Sequence, residues 1–296
     1  MNRTSSLASL ALMVFGLPFA AGCAGEVAPE EENEALGQSA SQLIGGDVAT
    51  ADQLDATLWI GNCTAARVGP RQILTAAHCV LQKNTATLKS QFTVGKTLSV
   101  TNDKTLSSAS YTAPRTIERV QVHPSWITAC RDGCPNNQAL TAPFPADIAV
   151  ITLSVGLPPG IATAPVATGR LANGASVTVT GYGCEQNIDT GSAARLKFER
   201  TFAMGHANDT LEGAYVFTRG KTADAEEASL CPGDSGGPLY RGTSTGVPAV
   251  VGVNAYYTFS DSSGVSTHNM HTRIGGNQHN VVGWLRNILP AESFVD

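Results

Sequence analysis

Apolar positions in this chain come in short runs broken by turn residues. Phe92–Val94, Val177–Thr180, Tyr215–Thr218 and Ala249–Val253 are rich in Val, Thr and aromatics, and each predicts a short strand. Ile73-Leu74-Thr75 reads as an apolar strand running into the small residues Ala76-Ala77. Ile148–Leu153 is apolar on both alternating faces, the pattern of a strand covered on each side. At the far end, Val281–Leu289 changes to helical spacing, which predicts a C-terminal helix packed on the sheets with Trp284 in the core. Thirty glycines and fifteen prolines supply the turns that such a chain needs. The class is all-β, and periodicity alone specifies only a sandwich or a barrel. No internal repeat is evident.

The first residues follow a different pattern. Arg3 precedes Leu7–Ala21, an uncharged and mostly apolar run too short and too poorly flanked to span a membrane. Residues 1–22 therefore read as a targeting segment. Ala20-Ala21-Gly22-Cys23 resembles a bacterial lipoprotein cleavage box with Cys23 as the lipidated residue, although Ala20 stands where leucine is usual. Ordinary cleavage near residue 22 or 25, with simple secretion, is the rival reading. Residues 23–42 hold five glutamates among Ala, Pro, Ser and Gly, the composition of an acidic tether or propeptide. With Arg3 and those glutamates set aside, 18 basic residues face 19 acidic ones. That balance offers no basic stripe for nucleic acid and leaves another polypeptide as the expected partner.

The chemistry concentrates in Cys231-Pro232-Gly233-Asp234-Ser235-Gly236-Gly237-Pro238. A serine hydroxyl is a weak nucleophile that needs a base and a place for the negative charge that develops. Glycines at 233, 236 and 237 allow a tight turn whose N–H groups converge. The stretch reads as a nucleophile loop, with the Gly233 and Ser235 amides as oxyanion donors. A base and a carboxylate are then required. His78 lies in Thr75-Ala76-Ala77-His78-Cys79, and Asp147 opens Asp147-Ile148-Ala149-Val150.

These three segments, in the order His–Asp–Ser, resemble the trypsin- and chymotrypsin-like serine proteases. The resemblance extends over about residues 43–289, and the domain is expected to run from 43 to 296. It implies two packed six-stranded antiparallel β-barrels with a C-terminal helix. It also implies a serine endopeptidase with His78 as general base, Asp147 as its orienting carboxylate and Ser235 as nucleophile. Leu43-Ile44-Gly45-Gly46 resembles the start of mature family members. Cleavage between Gln42 and Leu43 would then free an α-amino group to pair with Asp234. Ser41-Gln42 gives a trypsin-like activating protease no basic residue to recognise.

Seven cysteines include one odd residue, and setting Cys23 aside leaves six for an oxidising compartment. The resemblance pairs Cys63 with Cys79. Cys130 and Cys134 enclose three residues and suit a local staple. Cys184 and Cys231 remain, and their pairing departs from the family, where the cysteine before the nucleophile pairs further along the chain. Neither a metal nor a cofactor is expected; no paired Cys-x-x-Cys spacing and no calcium-type acidic loop stands out.

By alignment on the nucleophile loop, Ser229 stands where a tryptic enzyme carries its aspartate, which disfavours Lys or Arg before the cut bond. Tyr257 falls where glycine keeps the pocket open, and Asn269 is expected on the opposite wall. A small or medium uncharged residue is the expected preference. Residues 82–115 and 124–146 read as loops inserted beside the cleft. The expected protein is a monomer, exported and either secreted or lipid-anchored at a bacterial cell envelope, where the anchor is its only membrane contact. The competing classes are a catalytically idle protease-like binding protein and an esterase with the same triad.

Overall fold

The computed structural model describes residues 46–50, 54–83, 85–107, 114–130, 144–184, 195–220, 229–242, 248–259 and 266–296. All of them belong to the compact unit Ser39–Asp296. The targeting segment, the acidic stretch, Cys23, Leu43 and Cys134 lie outside the described residues.

Two antiparallel sheets, each curled into a half-barrel, carry the fold. The first uses β2 (Thr57–Trp59), β3 (Thr64–Arg67), β4 (Gln72–Thr75), β5 (Thr97–Leu98), β6 (Arg115–Val122) and β7 (Ala149–Leu153), in the order β2-β3-β4-β7-β6-β5. The second uses β1 (Asp47–Val48), β9 (Ser176–Gly181), β10 (Lys197–Phe202), β11 (Tyr215–Arg219), β12 (Pro238–Arg241), β13 (Ala249–Phe259) and β14 (Ser266–Arg273). Their order is β1-β10-β9-β12-β13-β14-β11, with the short β8 (Val166–Ala167) and β15 (Phe294–Val295) alongside. A six-stranded unit was expected in each half. The seventh strand here is the two-residue β1, laid on β10.

The burial of β7 explains its sequence. It sits between β4 and β6, and all five of its residues are buried. With sheet neighbours on both edges and core on both faces, each position selects a side chain that loses little by leaving water. Leu58, Ile73, Leu74, Val150 and Ile151 form the centre of that core.

Two expected elements differ. Phe92–Val94 is not a strand: Ser90–Phe92 is a single 3-10 turn, and Gly95 follows at φ +83°. Phe92 is fully buried while Val94 is 64% exposed, so one anchoring ring, not an alternating face, accounts for the apolar run. At the C-terminus, α4 spans only Val281–Arg286. Ile288 and Leu289 bond back to the Leu285 carbonyl at 2.9 and 2.8 Å, and Pro290 then prevents continuation. Trp284 is partly buried, not a full core residue, and packs T-shaped with the His123 ring at 5.1 Å between centroids. Among the described residues the other short α-helices are α1 (Ala77–Val80), α2 (Pro124–Ala129) and α3 (Asp209–Ala214). None of the helices among the described residues is long and apolar enough to cross a membrane.

Gly275, just past β14, is held by close backbone approach. A methyl group there would strike the Gly169 carbonyl and come within 2.8 Å of the Thr168 carbonyl oxygen. Backbone cannot rotate away, so Gly275→Ala is expected to lower stability by ~1–3 kcal/mol or more. Gly160→Ala, which meets nothing within 4 Å, should change it little. Paired thermal melts check the contrast.

Candidate active site

The β4–β7 pair positions His78 and Asp147. Thr75 opposes Ala149 in register; His78 follows Thr75 by three residues and Asp147 precedes Ala149 by two, so both emerge at the same end. His78 lies in α1, whose single turn aims its backbone and its ring at one carboxylate. Its N–H donates to Asp147 Oδ1 at 3.0 Å, and its Nδ1 lies 2.6 Å from Oδ2. Asp147 is fully buried, whereas the His78 side chain is 31% exposed. The carboxylate is therefore shielded and doubly bonded, with the ring beside it reachable from solvent. Thr272 of β14 donates to the Asp147 carbonyl at 3.1 Å, fixing this corner to the other sheet.

Two phenols wall the carboxylate. The Tyr256 ring lies 6.1 Å from that of His78 and packs edge-on against Tyr215 at 6.2 Å. Burial first, and the Asp147 charge second, push both hydroxyls well above the ordinary tyrosine range. Both rings face Asp147 as neutral groups.

Ser235 reaches this corner from the second sheet, on the turn before β12. Thr64 of β3 clamps that turn: its N–H donates to the carbonyls of Gly233 and Ser235, both at 3.0 Å, and its hydroxyl to Gly233 at 2.7 Å. Gly236, at φ +80°, lies so close to Thr75, Thr64 and Ala76 that a methyl would overlap Thr75 Oγ1 and come within 3.0 Å of Ala76 N. The residue after Ser235 thus touches the residue two before His78. The small residues at Ala76 and Gly236 are what allow the two sheets to approach here. Gly233 adopts φ +102°, a backbone conformation that favours glycine. Among the described residues, neither the Gly233 nor the Ser235 N–H donates to a protein acceptor. These are donors that an oxyanion could take.

Two disulfides brace the corner. Cys63–Cys79 ties the His78 turn to the residue before β3, and Cys184–Cys231 ties the segment after β9 to the start of the Ser235 turn. Lys89 adds donors to the His78 and Cys79 carbonyls at 3.2 and 2.9 Å. Cys63, His78 and Cys79 also form a close group of potential metal ligands. Both sulfurs are in the disulfide, so the group offers no thiolate. Cys130 is buried, and its expected partner Cys134 lies outside the described residues.

Asp234, next to Ser235, is fully buried with its carboxylate against Gly181 and Gly183. It accepts from Gly183 N at 2.8 Å and Cys231 N at 3.0 Å. Burial pushes this carboxyl up to about 7, against the opposing pull of those two N–H groups and of the Lys197 charge. Lys197 is itself 1% exposed and donates to the Gly46 carbonyl at 2.9 Å.

A model of the trypsin family matches residues 43–274. The chain belongs to the trypsin family. No curated protein matches it. Membership makes it a chain of the serine protease class, and polypeptides are the substrates the family suggests.

The residues expected from the sequence to line a specificity pocket lie close together. Ser229 and Asn269 are both buried, Leu230 N donates to Asn269 Oδ1 at 2.8 Å, and Tyr257 directly opposes Asn269 in register. Sequence reasoning missed Asn254, His271, Thr218 and Thr64, all fully buried against or behind the Ser235 turn. The available signal was a polar residue, Asn254, inside the otherwise apolar start of β13.

Proposed function

We propose that this chain is an exported serine endopeptidase acting through an acyl-enzyme on Ser235. The observation that carries the reading is the His78–Asp147 pair at 2.6 Å, set beside the Ser235 turn, two of whose N–H groups meet no acceptor among the described residues. His78 takes the Ser235 proton as the hydroxyl attacks the peptide carbonyl, then returns it to the leaving amine. Asp147 holds the proton on Nδ1, so that Nε2 presents its lone pair, and stabilises the imidazolium. The Gly233 and Ser235 N–H groups receive the oxyanion, each such donor being worth roughly 10²–10³ in rate. Water then attacks the ester by the same route in reverse.

Cleavage between Gln42 and Leu43 frees an α-amino group that pairs with Asp234, whose fully buried carboxylate is otherwise poorly served by neutral donors. The pocket takes a small or medium uncharged residue, because Tyr257, beside Asn269 on the paired strand, narrows it and Ser229 supplies no charge. The mature domain is secreted or held by a lipid on Cys23.

A fluorophosphonate probe tests the core of this reading on the uncleaved chain, the chain cleaved before Leu43, and Ser235→Ala. Labelling of the cleaved form alone, lost in the variant, is the expected result. Equal labelling of both forms would remove the activation step. No labelling of folded, cleaved protein would leave a protease-like binding protein.

A further inference from the structure

A run of five buried hydrogen-bonding groups crosses the second sheet behind Ser235. Leu230 N–H donates to Asn269 Oδ1 at 2.8 Å. Asn269 Nδ2 lies 3.3 Å from Thr218 Oγ1, which lies 3.1 Å from His271 Nε2. His271 Nδ1 lies 2.8 Å from Asn254 Oδ1, and Asn254 Nδ2 donates to the carbonyls of Asp234 and Thr180 at 3.0 and 2.8 Å. The four side chains that carry it are all fully buried.

The protons in this run have one arrangement. Asn254 faces two carbonyls with one end of its amide, so that end must be the NH₂ and the oxygen must face His271. His271 Nδ1 therefore carries the proton. Asn269 is fixed the same way, with its oxygen on an N–H and its NH₂ also on the Arg219 carbonyl at 3.1 Å. Thr218 accepts from Asn269 and so gives its own proton to His271 Nε2, the unprotonated nitrogen. Each group donates forward to the next, from Leu230 to Asp234. Burial pushes the His271 imidazole down to about 3, which keeps it neutral as the arrangement requires.

The two ends of the run are the two ends of the nucleophile turn. Leu230 enters it, and Asp234 precedes Ser235. Asn254 grips the far side as well, accepting from Gly236 N at 2.8 Å and donating its own N–H to Gly237 O at 2.7 Å. We infer that His271 is a positioning residue for the nucleophile, the middle link of a one-way hydrogen-bond chain that holds the Ser235 turn at both ends. Its importance for catalysis rests on the reading of Ser235 proposed above; the chain itself does not.

Three variants of the full chain test this: His271→Leu, His271→Gln and Thr218→Val. Glutamine can donate its amide to Asn254 and accept from Thr218, whereas leucine can do neither. Amide hydrogen exchange at Leu230 and Gly236 is read by NMR, with Ile151 in β7 as the reference. His271→Leu should speed exchange at both amides by about ten-fold or more, since a broken link leaves buried polar groups without partners. His271→Gln should return both to within about three-fold of the parent, and Ile151 should be unaffected throughout. Thr218→Val, which keeps the side-chain shape, should loosen Leu230 more than Gly236 and serves if the leucine variant does not fold. Fluorophosphonate labelling of the cleaved forms should slow in the same rank order. Exchange at Leu230 and Gly236 unchanged in folded His271→Leu, or leucine and glutamine behaving alike, would overturn the inference. An unlabelled parent would remove the peptidase reading, and the exchange rates would still decide the chain.

Discussion

Asp147→Asn is expected to slow acylation of Ser235 by on the order of 10⁴, the magnitude known for this exchange in trypsin-like triads. The geometry supplies the reason. Asp147 accepts from two donors on one residue, the His78 backbone N–H at 3.0 Å and Nδ1 at 2.6 Å. Asparagine has one acceptor end and one donor end. Placing its NH₂ on the backbone N–H sets two donors against each other. The other orientation satisfies both His78 groups: the oxygen accepts the backbone N–H, and the NH₂ donates to Nδ1. That stable arrangement forces the ring proton onto Nε2, where it blocks removal of the Ser235 proton. Because both His78 groups keep a partner, the variant should melt within a few degrees of the parent. Fluorophosphonate labelling rates on the cleaved protein, alongside thermal melts, check both halves. A rate within ten-fold of the parent would remove Asp147 from the mechanism.

The parts legible in the sequence are those where one short window carries the whole constraint. β7 could be read because both its faces are buried, so Ala149–Leu153 has no polar face to confuse the pattern. The Thr75–His78 and Gly233–Gly237 segments could be read because close approach of the two sheets demands small residues within a few positions of each functional side chain. The buried chain through His271 could not. Its members come from β11, β13 and β14 and the nucleophile turn, and Thr218 and His271 are 53 residues apart. Each alone is an ordinary strand residue; only the register of three strands makes them one network. Lys197 misleads in the opposite way. In a short strand a lysine normally faces water, yet here it turns inward to the Gly46 carbonyl and the neighbourhood of Asp234. Phe92–Val94 shows the limit of composition: three strand-forming residues became a turn because only the ring of Phe92 had a core to enter.

Asp234 should make the uncleaved and cleaved chains respond to pH with opposite signs. In the uncleaved chain, burial raises the folded carboxyl from 3.8 to about 7. Between those values the folded chain keeps a proton that the unfolded chain has lost. The contribution to stability is therefore full below about pH 4 and is lost as pH rises through about 7, at up to roughly a factor of ten in the folding constant per unit. Asp234→Asn carries no such titration, so the parent should lose stability against it across that window. Cleavage before Leu43 changes the partner. An α-amino cation against the carboxylate draws its folded value below 3.8, and the sign inverts: stability is present above about pH 4 and lost as pH falls. Urea midpoints at about pH 4, 5.5 and 7 would show the crossing, measured for both forms in a Ser235→Ala background with and without Asp234→Asn. If the two forms share the cleaved form's slope, the carboxylate already has its cation before cleavage. Lys197, whose charge already acts on Asp234, would then be that cation, and the activation step would lose its electrostatic basis.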